Sequence, residues 1–285
     1  MAAAILAAVL LGAGSRPAPL IVYSAPAGKR PTGADLIRPA NAVLPNGRIA
    51  APAGANLFVG SNPLGLALSP DGRYAIVSNR GAAPNSWLSV IETKTMRVAS
   101  EYRDPLASFF VGVAVARDPN DPLRTIVLAS DAAAGAVRVF DLDGSGQLTF
   151  AQSVALPSAS GRHPFPAQIA IAPNDRTAYV ADNLGNTLVA IDLASRTVVR
   201  SLPVGDFPLY VAAGNRNILA AGTGLSNYTA VEPPAQSPQF APPALDPAKS
   251  SSLTVFESSG GAELGDPATV SMDSAPDGTK IVGGA

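Results

Sequence analysis

Apolar and polar residues along this chain fall into short stretches separated by turn formers, and no stretch carries a long helical period. Leu64–Leu68, Tyr74–Ser78, Leu88–Ile91 and Arg97–Ser100 each read as a strand bounded by Gly, Pro, Asn, Asp or Ser. The first two are joined by Ser69-Pro70-Asp71-Gly72, where Pro presets φ and Gly supplies the open backbone angle of a tight turn. The pattern then returns. Val111–Val115, Thr125–Ala129, Ala136–Phe140 and Leu148–Phe150 predict a second set of strands, and Gln168–Ile171, Ala178–Ala181, Thr187–Ile191 and Val198–Leu202 a third. Leu209–Ala213, Ile218–Ala221 and Leu253–Phe256 predict a fourth set, with a degraded first turn at Gly214-Asn215-Arg216-Asn217. Many of these strands are nearly continuous apolar runs, as expected where both faces of a sheet are covered.

The recurrence is periodic. Pro70, Pro173 and Pro276 stand 103 residues apart each time, which is two units of roughly 50 residues. Short strands at that period specify an all-β fold, a β-propeller of four-stranded blades. Residues 54–285 then hold blades one to four, and a fifth is expected to open at Asp266-Pro267-Ala268 and run through Val282. About four and a half blades leave an open sheet edge, an aggregation hazard. The chain is therefore expected to be the front part of a longer, seven-bladed protein, with a further C-terminal domain as one partner. The acid closing the third strand falls at Glu92, Asp141, Asp192 and Glu257. The last interval is lengthened by a Pro-rich insertion, 228–250, expected as a solvated loop on the ligand face, with a lid or partner-binding flap as the alternative.

The front of the chain differs. Residues 15–53 are a Pro/Gly-rich lead-in with one hairpin cue, Asn46-Gly47. Residues 2–13 are apolar but fall short of the roughly 20 needed to span a bilayer. They match the apolar region of a secretory signal covering 1–14, although no Lys or Arg precedes Arg16. A periplasmic or secreted protein without a membrane span is expected.

Composition narrows the chemistry. Charged residues make up 14% of the chain, against roughly 25% in an average soluble protein. The net charge is −1 with no Lys/Arg run, so the footprint of a nucleic-acid binder is missing. With no cysteine, disulfides, thiolate metal sites and a cysteine nucleophile are excluded, and one histidine cannot build a His-rich metal site. No cofactor or metal is expected. Asp141-Leu142-Asp143-Gly144-Ser145-Gly146 imitates a calcium loop, but Gln152 stands where the bidentate glutamate belongs, so a plain turn is expected.

Ala67-Leu68-Ser69-Pro70-Asp71-Gly72-Arg73-Tyr74 and Tyr179-Val180-Ala181-Asp182-Asn183 resemble the YVTN-type propeller repeat family, over about residues 54–285. Leu44-Pro45-Asn46-Gly47-Arg48, with the first blade after it, resembles the front of bacterial proteins that join such a propeller to an alkaline-phosphatase-like phosphoesterase domain. That resemblance implies that the catalytic, metal-binding half lies elsewhere. Val137–Asp141 and Gly146–Thr149 are similar to the blade ending of propeller lactonases, which implies a hydrolase as the alternative, though no matching catalytic-acid motif is legible. The repeat residues themselves build strands and turns and carry no activity.

Candidate chemistry concentrates where the second-to-third-strand loops and the inter-blade loops share one face. Asn79, Arg80, Asp131, His163, Phe165, Asp182, Asn183 and Phe207 are expected there with the Pro-rich loop. Aromatics beside amides and carboxylates fit a small polar ligand or a peptide. His163 as a general base would need Asp131 or Asp182 within hydrogen-bond reach. The expected function is binding or scaffolding.

Overall fold

The structure, a computed structural model, describes residues 33–34, 42–43, 49–50, 54–60, 62–80, 86–158, 161–224, 226–227, 244–245, 251–260 and 263–272. The chain divides into two compact units, 1–56 and 57–285. In the first, β1 (Gly33–Ala34), β2 (Ala42–Val43) and β3 (Ile49–Ala50) form a small antiparallel sheet. Val43 pairs antiparallel with Ile49, on either side of the Asn46-Gly47 cue. The signal segment 1–14 and the turn residues themselves lie outside the described residues.

The second unit is built of four four-stranded antiparallel sheets. They are β4 (Pro63–Leu68), β5 (Tyr74–Arg80), β6 (Ser86–Glu92) and β7 (Arg97–Arg103); β8 (Phe109–Asp118), β9 (Asp121–Asp131), β10 (Ala136–Leu142) and β11 (Leu148–Ala155); and β12 (Pro166–Ile171), β13 (Thr177–Asp182), β14 (Thr187–Asp192) and β15 (Thr197–Pro203). The fourth sheet takes β16 (Pro208–Ala213) and β17 (Asn217–Gly222), then, past the paired β18 (Ser226–Asn227) and β19 (Ala244–Leu245), β20 (Ser252–Ser259) and β21 (Glu263–Ser271). Every strand read from the sequence for the first four blades lies inside an observed one. The fold is an all-β propeller of four-stranded blades.

One expectation is corrected. Glu263–Ser271 does not open a fifth blade but closes the fourth, with Leu253 opposite Val270 and Phe256 opposite Pro267. The outer edge of β20 carries backbone groups that need partners, and Gly260, at φ 63°, turns the chain straight back to supply them. The described residues therefore hold four blades. The Pro276-Asp277-Gly278 turn and most of the Pro-rich segment 228–250 lie outside them.

Local chemistry sets the turns. In blade one, Ser69 Oγ accepts the Tyr74 N–H at 2.9 Å and donates to Asp71, and Gly72 sits at φ 70°. The third-to-fourth-strand turns place a left-handed residue at Met96, Gly146, Arg196 and Gly260. The strand-closing acid stabilises this turn in two blades. Glu92 accepts from Thr95 Oγ1 at 2.7 Å, and Asp192 from the Ser195 N–H and hydroxyl at 2.7 and 2.8 Å.

Neighbouring first strands β4, β8, β12 and β16 lie side by side, and the sheets stack on their apolar faces. Tyr74, Ile76, Leu88 and Val90 of blade one meet Phe109, Val127 and Phe140 of blade two. Ile126, Leu128, Val137 and Val139 meet Ile169, Val180 and Ile191 of blade three, and Tyr179 and Leu188 meet Ile218 and Phe256 of blade four. Among the described residues no helix is long and apolar enough to cross a membrane. The stacking is tight at the first strands: a Cβ on Gly112 would stand 2.0 Å from the Ala167 carbonyl oxygen, and one on Gly65 2.3 Å from that of Val111. Gly112→Ala is thus expected to destabilise the fold by about 1–3 kcal/mol through overpacking. Gly144→Ala, with open space around it, is expected to leave the urea midpoint close to wild type. Equal midpoints for the two variants would refute the close-approach argument.

Candidate functional site

Asn79, Asp131 and Asp182 occupy one repeated place, the end of the second strand opposite the first residue of the blade (Pro63, Phe109 and Pro166). All three are fully buried. The two acids reach back to the chain as it enters its own blade: Asp131 Oδ1 accepts the Ser108 N–H at 3.0 Å, and Asp182 Oδ1 the Phe165 N–H at 2.7 Å. The fourth blade has Gly222 at this place, opposite Pro208, and so lacks such a clasp.

What faces the clasp differs between blades. One position across the third strand is Ser89, Arg138 or Val189, opposite Val77, Ala129 and Val180 respectively. Ser89 Oγ accepts from the Asn79 amide at 2.9 Å. Arg138 donates from Nε to Asp131 Oδ2 at 2.7 Å and from Nη1 to Asp104 Oδ2 at 2.6 Å. The Leu106 N–H and then Arg138 hold the Asp104 carboxyl below its ordinary value. Val189 offers nothing, and Asp182 Oδ2 is left without a hydrogen bond. Burial pushes the Asp182 carboxyl up, against the opposing pull of the Phe165 N–H.

The outward side of this face carries different groups. Arg80 is exposed, with its guanidinium 5.4 Å from the centre of the Phe110 ring. Phe110 meets Phe165 edge-on at 5.3 Å. Asn183 donates its N–H to the Phe165 carbonyl at 2.9 Å and its amide to the Pro208 carbonyl at 3.2 Å, joining blade three to blade four. Exposed His163 donates from Nε2 to the Ala133 carbonyl at 3.0 Å, and Arg162 beside it is also exposed. Phe207 is buried at φ 52°, its N–H bound to Asn186 Oδ1.

The structure therefore brings Arg80, Phe165 and Asn183 into one row with His163 at its side, and turns Asn79, Asp131, Asp182 and Phe207 inward, away from any ligand at the surface. Phe110 joins the row, and neither it nor exposed Arg162 was singled out from the sequence. Phe110 was detectable: in β8, Phe109 points into the core, so its neighbour takes the opposite side of the strand. At the other end of blade two, Asp143 Oδ1 accepts from the Ser145 N–H, the Ser145 hydroxyl and the Gln147 N–H, which makes the calcium-like sequence a plain turn. Among the described residues no cluster of three metal-ligating side chains occurs.

No protein-family model and no curated protein matches this chain. Solved structures do. A functionally unknown protein from Desulfotomaculum acetoxidans aligns with a TM-score of 0.52 at 15% identity, over 74% of this chain and 56% of that one. The β-propeller domain of Cps50 (Swd1) from Myceliophteria thermophila aligns at 0.42 and 10% identity, over 56% and 47%. A candidate 6-phosphogluconolactonase from Bacteroides uniformis aligns at 0.49 and 15% identity, over 79% and 61%. The chain thus spans roughly half the length of the structures it matches. Identities this low speak to fold alone; the four stacked four-stranded sheets themselves define a β-propeller architecture.

Two acids in one repeated place should respond oppositely to mutation. Asp131→Ala leaves Arg138 only the Asp104 carboxylate and frees the Ser108 N–H in a nearly closed site, and is expected to cost about 1.5–3 kcal/mol. Asp182 has a raised pKa when folded, so its protonated form favours folding. That contribution is complete below the ordinary value of 3.8 and is lost as pH rises through the folded value. Asp182→Asn is therefore expected to flatten the loss of stability between about pH 3 and pH 7. Urea midpoints at both pH values check this, and an unchanged slope would count against it.

Proposed function

We propose that this chain is a ligand-binding propeller module whose exposed row takes a small anion carrying a flat apolar group. The observation that carries the reading is the inward turn of the acids. Asp131 is engaged by Arg138 and Asp182 is buried, while exposed Arg80 lies against the half-buried ring of Phe110, which meets Phe165. Arg162 and His163 are exposed on the chain leading into Phe165. A guanidinium binds carboxylate or phosphate through two parallel N–H bonds, and ring edges and faces accept a flat partner. The engagement of Asp131, the burial of Asp182 and the tie between His163 Nε2 and the Ala133 carbonyl favour binding over lactone hydrolysis at this face.

The wider setting belongs to the same reading. The face would hold a phosphorylated substrate for a phosphoesterase domain of the kind the N-terminal sequence resembles, and the apolar segment 2–13 supports export. A longer ring is supported by Leu66, which is 66% exposed where its counterpart in blade three, Ile169, is 4% exposed. Further blades would cover that face.

Phenyl phosphate is the probe. Calorimetry is expected to show saturable binding that weakens roughly tenfold or more in Arg80→Ala, the loss of one charge-assisted hydrogen-bond pair. Phe165→Ala is expected to narrow the preference for phenyl phosphate over inorganic phosphate. Unaltered affinity in both variants would place the ligand elsewhere.

A further inference from the structure

Blade two departs from the repeat at the end remote from the exposed row. Its first two strands run ten and eleven residues, whereas those of the other blades run six or seven. The extension carries β8 and β9 out to Pro119-Asn120 and lays the tip on blade three. Asn120 donates its amide to the Ala194 carbonyl at 2.9 Å, and Arg196 pairs with Asp118 at 3.3 Å. The added length brings Asp121-Pro122-Leu123-Arg124 beside the turn between β10 and β11. Between them opens a cleft of about 360 Å³, lined by Leu123, Arg124, Asp141, Leu142, Asp143 and Thr149. The other blades close the same hairpin without such an extension, so the fold itself does not require it.

A second departure frees a carboxylate for this cleft. In blades one and three the strand-closing acid, Glu92 or Asp192, is committed to its own turn. In blade two Asp143 takes over that task with three accepted hydrogen bonds. Asp141, released from the turn, lies against the cleft with Arg124 at 3.4 Å from Oδ2 and Arg196 at 3.6 Å from Oδ1. The contact with Arg124 is long, and more than half of the Arg124 side chain is in water. Such a pair opens at little cost. Leu123, at the mouth, is 96% exposed, an apolar wall with nothing against it.

We propose that this cleft binds a free α-amino acid with an aliphatic side chain. The α-carboxylate pairs with the Arg124 guanidinium, the α-ammonium with Asp141 Oδ2, and the side chain lies between Leu123 and Leu142. A simple cation would meet Arg124 and a simple anion would meet Asp141, whereas a zwitterion satisfies both charges as it separates them. The volume suits one such molecule with a few waters.

Three ligands on the intact chain decide the matter: leucine, leucinamide, which has no carboxylate, and 4-methylpentanoate, which has no amine. In amide-resolved NMR titrations leucine is expected to give saturable shifts at Leu123, Arg124 and Thr149, with each analogue binding at least roughly tenfold more weakly. Arg124→Gln and Asp141→Asn are each expected to abolish the discrimination. Arg124 is a surface side chain, so Arg124→Gln keeps the test valid should Asp141→Asn melt early. Leu123→Ala is expected to weaken leucine but not glycine. Absence of saturable shifts with leucine, or equal binding of all three ligands, overturns the proposal.

Discussion

The apolar faces that neighbouring blades turn toward each other are satisfied by packing sheet against sheet. Everything else follows from how closely the sheets must approach. At the first strands they come close enough for a backbone carbonyl to occupy the space of a side chain, which is why Gly65 and Gly112 stand where they do. Further out, on the second and third strands, the space is filled by larger groups: Phe140, Tyr179 and Phe256 are all essentially inaccessible to water. Tyr102, edge-on to Phe140 at 4.7 Å, continues this packing toward the outer strand. Small residues at the inner strands and rings farther out are the wedge shape of a blade written in side-chain volume.

The carboxylate clasp at the end of the second strand in blades two and three is the polar counterpart of that packing. It fixes where the chain enters a blade, and so fixes the loops that carry Arg162, His163 and Phe165. The exposed row and the buried acids are therefore two sides of one device. The acids hold the loops from beneath, and the cations and rings are what the loops present above. A carboxylate that holds a backbone N–H from a closed site is poorly placed to serve a ligand as well.

Strand positions and the tight first turn were legible because period-two and apolar-run patterns, and Pro-Asp-Gly chemistry, are local. The hairpin around Asn46-Gly47 was legible for the same reason. Burial of Asp131 and Asp182 was not. An acid beside a turn reads as surface chemistry, and only register shows that Asp131 faces Phe109 and Asp182 faces Pro166 across the sheet. The repeat itself held the missing hint, since an acid or amide returning at one place in three blades signals a shared structural task. Glu263–Ser271 misled in the opposite direction. Its Asp266-Pro267-Ala268 echoes the start of a blade, yet the free edge of β20 lies one turn away and captures it. Phe110 follows from the alternation along β8, whereas Leu123 could be found only by asking which apolar side chains the core leaves unused.

The ion triad of blade two does not respect the boundary of its sheet. Arg138 and Asp131 belong to the blade, but Asp104 sits in the connection before it, beyond the last strand of blade one. A copy of blade two cut at the sheet edge would inherit a guanidinium with one of its two carboxylates missing. The heritable unit for this blade therefore begins upstream of its first strand, in the connector. Duplications or grafts of this repeat preserve their internal charge balance only when the join falls before Asp104, one strand connection ahead of the sheet edge.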